Sequence, residues 1–165
     1  MIAIGLYTGL RAREIVNLKV GDIDTEQALV HVYKGKGGRD ARLPLNPKLL
    51  PYLLPFLDRS LSAPLIPGRW PDRGYSPRML GYAVSGAAAR AGLPGHVHVH
   101  TLRHTFGTEL QRRGGDLAKT QRLMRHANIQ TTMIYVHLAM DDVRPLADEL
   151  DFEPVPERLQ QAVDG

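Results

Sequence analysis

The chain has 165 residues, 43% of them hydrophobic and 23% charged, the balance of one globular domain with a core of its own and not of a disordered or collagenous chain. It contains no cysteine, which excludes disulfides, thiol catalysis and thiolate metal sites and suits a reducing compartment. The formal charge of +4 is unevenly divided, with 19 basic and 9 acidic side chains in residues 1–138 (+10) against 2 basic and 8 acidic in residues 139–165 (−6). A basic body of this kind is either a footprint for phosphates or a solvated surface.

The first ten residues are apolar but stop at Arg11, too short a run to span a bilayer and without the basic start of a signal peptide, so a cytoplasmic protein with no membrane partner is expected. Apolar periodicity predicts a helix at about 2–8 and another at 11–18, with Ile15, Val16 and Leu18 inward and Gly9 near their junction. Residues 29–33 alternate as a strand and 41–45 read as its return, with the glycine-rich stretch 35–40 as the hairpin tip between them. Asn46-Pro47 carries the N-cap and first-turn pattern of a helix reaching about Asp58, and Ser76-Pro77 repeats it for a helix ending near Gly92. The interval 60–75, rich in Pro, Gly and Arg, reads as a long loop of the functional or mobile kind. Further helices are expected at about 101–113, 116–125, 131–137 and 141–150, before a Pro- and acid-rich end. The sum is an α+β chain, mostly helical, with one small antiparallel sheet and no internal repeat. A first helix that is apolar on nearly every side suits a buried central position, so the chain reads as a fragment of a longer protein or as one whose surface a partner covers.

Four separated patches carry chemistry: Thr8-Gly9-Leu10-Arg11 followed by Glu14; Gly35-Lys36-Gly37; His100-Thr101-Leu102-Arg103-His104; and Arg125-His126, with Tyr135 nine residues beyond His126. In order and spacing they resemble the catalytic domain of tyrosine recombinases, the phage-integrase type of DNA strand-exchange enzyme, over about residues 1–140. Breaking a phosphodiester without a metal requires a nucleophile, a proton donor for the leaving oxygen and cations around a phosphorane that gains charge. A planar guanidinium suits the last task because it binds phosphate oxygens bidentately and stays ionised. The resemblance therefore implies the tyrosine-recombinase catalytic-domain fold and site-specific cleavage and rejoining of double-stranded DNA with no cofactor. Arg11 and Arg103 would hold the phosphate and Tyr135 would form a 3′-phosphotyrosyl bond. His100 would act as base, Lys36 as general acid with Lys34 its rival, and His126 as a donor to the phosphate. Glu14 would orient Arg11, His104 and His137 would support the site, and Lys34, Arg39, Arg42 and Arg125 would contact DNA. It also implies a homo-tetramer on DNA, a monomer when free, and a place at the nucleoid.

Arg125 departs from the family, which has glycine before this histidine, and the family's N-terminal DNA-clamping domain and first catalytic helix are not recognisable. Losing one face of the clamp would weaken DNA binding, each lost phosphate contact reducing the log-log salt slope by about 0.9. Residues 141–165 form an acidic tail, read as a helix packing in trans, a lid packing in cis over the basic face, or a disordered end. His96, His98 and His100 would share one face if extended and could imitate a metal site, although no cysteine or neighbouring carboxylate completes a shell. His31 is expected on a strand surface. Neither a Walker phosphate loop nor His-Glu-x-x-His occurs. The competing functions are type IB topoisomerase-like relaxation, a truncated DNA-binding remnant without catalysis, and a histidine metal protein.

Overall fold

A computed structural model describes residues 1–33, 40–68, 73–93, 96–113, 119, 123–124 and 147–150. The hairpin tip, the helix expected at 131–137 and most of those expected at 116–125 and 141–150 lie outside the described residues. The elements follow the predicted order: α1 (Ile2–Thr8), α2 (Ala12–Asn17), β1 (Ile23–Asp24), β2 (Leu29–Val32), β3 (Ala41–Pro44), α3 (Leu50–Leu57), α4 (Pro77–Arg90) and α5 (Val99–Arg112).

Helix α1 is central, as its composition predicts, although Ile2 is exposed. Ile4 and Tyr7 share the core with Leu102, Phe106 and Leu110 of α5. The two helices approach closely because Gly5 has no side chain: a Cβ there would come within 2.8 Å of Leu102 Cδ1. Gly9 ends α1 in the left-handed region (φ 61°), its N–H donating to the Gly5 carbonyl at 3.1 Å, a conformation open to glycine at little cost. A Cβ on Gly9 would also fall into the ring of Phe106. Gly9→Ala is thus expected to cost about 2–4 kcal/mol, combining left-handed strain with overpacking, measured as a lower midpoint in urea.

Helix α2 is shorter than predicted because both flanking residues are extended, Arg11 with ψ 156° and Leu18 with ψ 137°. It packs against α4, which is capped by Ser76, whose hydroxyl accepts the Met79 N–H at 3.2 Å. The sheet has order β1-β2-β3, antiparallel, with Val30 opposite both Ile23 and Leu43, and His31 opposite Arg42. β1 escapes sequence reading because two residues cannot display an alternation. Val30, Val32 and Leu43 face the core, joined by Leu45, Leu49 and Leu53 from the turn and helix that follow.

The interval 60–75, expected as a long loop of the functional or mobile kind, is strapped down in its described part. Leu65 N–H donates to the Leu18 carbonyl at 2.8 Å, Val20 N–H to Ala63 at 3.0 Å and Gly21 N–H to Leu61 at 2.9 Å, while Leu65 is buried. Its prolines and glycines obscure this in sequence, since backbone pairing leaves no side-chain pattern.

Helix α5 begins at Val99, two residues earlier than predicted, so His100 is helical and the extended alternation of His96, His98 and His100 does not form. His98 N–H donates to Thr101 Oγ1 at 3.1 Å and the Thr101 N–H to the His98 carbonyl at 2.9 Å, closing the helix entrance. Ser85 Oγ of α4 donates to the Val97 carbonyl at 2.8 Å and pins that entrance to the neighbouring helix. Among the described residues no group of side chains could hold a metal ion, and no helix is long and apolar enough to cross a membrane.

At the far end of α5, Glu109 accepts from Arg112 at 2.8 and 2.6 Å and from Arg113 at 2.7 Å. These hydrogen bonds, that from Arg112 first, hold its carboxyl down to about 2 from the ordinary 4.5. A depressed folded-state pKa adds stability that is complete above the unfolded value and is lost as pH falls from 4.5 towards 2. Melting temperature followed across that window should fall less steeply in Glu109→Gln than in the native chain.

Candidate active site

The site is built on the exit from α1. Thr8, buried at the end of the helix, donates through Oγ1 to the Ile4 carbonyl at 2.5 Å and accepts the Leu10 N–H at 3.3 Å. With Gly9 turned left-handed, this fixes the direction in which the chain leaves the helix and sets Arg11 at the N-cap of α2. A cation at a helix N-terminus opposes the macrodipole. Glu14, one turn on, compensates: Oε2 accepts the Arg11 N–H at 2.8 Å, and Oε1 lies 3.3 Å from Arg11 Nη1. The carboxylate is 8% exposed and the guanidinium side chain 29%, so one acid both caps the helix and orients a half-buried cation whose rim reaches solvent.

Arg103 enters from α5 and is 3% exposed. Its Nη1 donates to the Gly9 carbonyl and its Nη2 to the Met124 carbonyl. One planar fork therefore joins the turn that leads into Arg11 to the backbone two residues before His126. Charge-assisted bonds of this kind are each worth about 1.5–3 kcal/mol. Leu123 and Met124 are buried beside it.

His100 precedes Arg103 by three residues on α5 and so lies on a neighbouring strip of the same helix face. It is exposed, and the ring of His104 meets it edge-on at 4.6 Å and 86°. Arg42 is exposed on β3 opposite His31. His31 is half-buried and its Nε2 lies 3.9 Å from Asp24 Oδ2 of the paired strand β1, a cross-strand position as expected. Lys34, Lys36, Arg39, Arg125, His126, Tyr135 and His137 lie outside the described residues.

The described residues thus bring together Arg11 with Glu14, and Arg103 with the backbone on which Arg11 sits; His100 and His104 flank Arg103 along α5. Sequence reasoning missed the supporting parts. Thr8 and Gly9 stand in the first motif without a role, although a Thr-Gly pair at a helix end signals a fixed exit. The Met124 carbonyl has no signal at all, being backbone. Chemically, guanidiniums such as those of Arg11 and Arg103 can stabilise a phosphorane dianion, and an exposed imidazole such as that of His100 can take or give a proton.

Removing the carboxylate tests the Arg11–Glu14 unit. Glu14→Ala is expected to cost about 1 kcal/mol in melting experiments, through loss of the cap, and to slow any phosphate chemistry at Arg11 about tenfold, through loss of orientation.

Residues 1–142 match the Phage integrase family. A tyrosine recombinase XerD of Ralstonia nicotianae is 34% identical over 155 residues, covering 88% of this chain and 50% of the relative; the chain thus spans about half the length of that relative. An integrase from mycobacterium phage Brujita superposes with a TM-score of 0.75 at 30% identity, over 98% of this chain and 55% of that one. A XerH site-specific recombinase, solved bound to its difH substrate in a pre-cleavage complex, gives a TM-score of 0.66 at 25% identity, over 77% of this chain and 38% of that one. With the four motifs in order, the Arg103 fork linking the first to the approach of the last, and this match along most of its length, the chain belongs to the phage integrase family.

Proposed function

We propose that this chain is the strand-cleaving and rejoining domain of a site-specific DNA recombinase, acting on double-stranded DNA through a 3′-phosphotyrosyl intermediate at Tyr135. The observation that carries the reading is the Arg103 fork. It ties the carbonyl of Gly9, two residues before Arg11, to that of Met124, two residues before His126, which supports a reading in which motifs far apart in sequence serve one centre. The DNA partner is supported by the basic body of the chain and by the similarity to the XerH site-specific recombinase, which was solved bound to its difH substrate.

In the proposed reaction the phenol of Tyr135 loses its proton to His100 and its oxygen attacks the phosphorus. The phosphorus–5′-oxygen bond breaks, and Lys36 gives that oxygen a proton. One phosphate ester replaces another, so bond energy is kept and the reversal needs no external energy source. An ordinary phenol with a pKa near 10 is almost wholly protonated at neutral pH, which is why a neighbouring base and a cationic surround are needed. Arg11, Arg103 and His126 surround the phosphate and stabilise its extra charge. Lys34, Arg39, Arg42 and Arg125 add contacts to the DNA backbone, with His104 supporting His100. Four copies assemble on DNA and the free chain is monomeric, in the cytoplasm at the nucleoid.

A duplex nicked close to the scissile phosphate traps the intermediate, because the short fragment carrying the 5′-hydroxyl diffuses away. Incubated with this chain in the presence of a chelator, such a duplex is expected to yield a covalent protein–DNA complex stable to detergent. Binding without a covalent product would refute cleavage and leave a DNA-binding remnant.

A further inference from the structure

We propose that Asn46 is a positioning residue for strand cleavage: by holding residues 147–150 against the body of the domain, it fixes the downstream end of the stretch that carries Tyr135. This rests on Tyr135 being the nucleophile, as proposed above.

Asn46 follows β3 and is 0% exposed. Its Oδ1 accepts the Lys48 N–H at 2.8 Å and so caps the short turn Pro47–Leu49 that leads into α3. Capping needs only an oxygen, which serine, threonine or aspartate would supply equally well. The amide nitrogen has a separate use. It donates to the Ala147 carbonyl at 2.5 Å and to the Leu150 carbonyl at 3.2 Å, partners 101 and 104 residues away in sequence. Two buried carbonyls and a buried amide satisfy each other, an arrangement expensive to leave half made. Arg113 at the end of α5 adds a third hold through the Glu149 carbonyl, while Ala147 and Leu150 are buried at 2% and 0% exposure.

The upstream end of the same stretch is fixed as well. Met124 is buried and its carbonyl receives Arg103. Tyr135 lies midway between these two anchors in sequence. A chain held at both ends samples a far smaller volume than one held at a single end, so the effective concentration of a group between them at a fixed point is higher. Release of the downstream anchor should therefore lower the rate of attack by the Tyr135 phenol while leaving untouched the groups that bind the phosphate.

Asn46→Ser separates the two roles, since serine keeps a capping oxygen but is too short and has no amide to reach Ala147 and Leu150. Two measurements on the full chain apply. Hydrogen–deuterium exchange is expected to rise across 147–150 and stay unchanged in α1. In single-turnover reaction with a nicked duplex, the rate constant for covalent complex formation is expected to fall about tenfold, with DNA affinity within twofold of the native chain. Leu53→Ala, which removes a core side chain of α3, serves as the control: it should lower the melting temperature at least as much and keep the rate constant, so that simple loss of stability is recognised.

Unchanged exchange across 147–150 would overturn the tether. Increased exchange with an unchanged rate constant, or an equal fall in rate in Leu53→Ala, would overturn the positioning role. A native chain that forms no covalent complex would instead overturn the proposed function and the positioning role with it, while the exchange data would still show whether Asn46 holds the segment.

Discussion

The Tyr135→Phe chain is expected to form no covalent complex with a nicked duplex, a loss on the order of a thousandfold or more, while binding the same duplex with unchanged affinity. Phenylalanine keeps the ring and removes the one oxygen proposed to attack phosphorus, and deletion of a nucleophile is among the largest single effects seen in enzymes. The other hydroxyls of the chain do not substitute, because attack requires an oxygen in line with the leaving 5′-oxygen and within about 3–3.5 Å of the phosphorus. Gel separation under denaturing conditions reads the covalent product, and filter binding at fixed salt reads the affinity, which must be compared at one ionic strength because phosphate contacts are salt-dependent. A covalent complex that persists in Tyr135→Phe would show that another residue supplies the nucleophile.

Arg103→Lys should lose both activity and stability, an outcome that separates this arginine from Arg11. The guanidinium of Arg103 bridges two backbone carbonyls, of Gly9 and Met124, from a position 3% exposed. Lysine carries the same charge on a compact ammonium and cannot span both acceptors as a planar fork does. A buried carbonyl left unpaired costs about 1–3 kcal/mol, and the backbone leading to Arg11 and to His126 loses its common fastening. Cleavage is expected to fall by about 10²–10³, the usual consequence of removing one preorganised donor from a developing oxyanion. Arg11→Lys, by contrast, should reduce cleavage with little change in melting temperature, because that side chain is partly exposed and its ion pair with Glu14 can be remade by an ammonium.

Much of this architecture was legible from residue order. Helices α1 and α4 have the periodicity and cap residues that announce them, α5 has the periodicity, and β2 and β3 flank a glycine-rich connection. The boundaries that shifted did so for local reasons: Arg11 and Leu18 are extended where apolar spacing continues, and the reciprocal bonds of His98 and Thr101 start α5 early enough to make His100 helical. The two-residue β1 and the strapped interval after α3 were invisible because backbone pairing determines them. In the candidate site, Arg11, Glu14, His100 and Arg103 were named through the resemblance of the four motifs, in order and spacing, to tyrosine recombinases. What spacing could not reveal is that Arg103 faces inward to carbonyls at both ends of the site, or that Asn46, which reads only as a helix cap, reaches the opposite end of the chain. Both are long-range contacts between a side chain and main chain, and a main-chain acceptor has no residue identity to read.

Arg11, His100 and Arg103 are proposed to serve a single phosphate. The decisive measurement is a structure of this chain bound to a nicked duplex carrying the scissile phosphate, with Tyr135→Phe used to hold the reaction before attack. The expected structure has one phosphate with guanidinium nitrogens of Arg11 and Arg103 within hydrogen-bonding distance of its nonbridging oxygens, and His100 beside the ring at position 135. A phosphate held by Arg11 while Arg103 keeps only its two carbonyls, or a DNA path that leaves α5 uncovered, would contradict it.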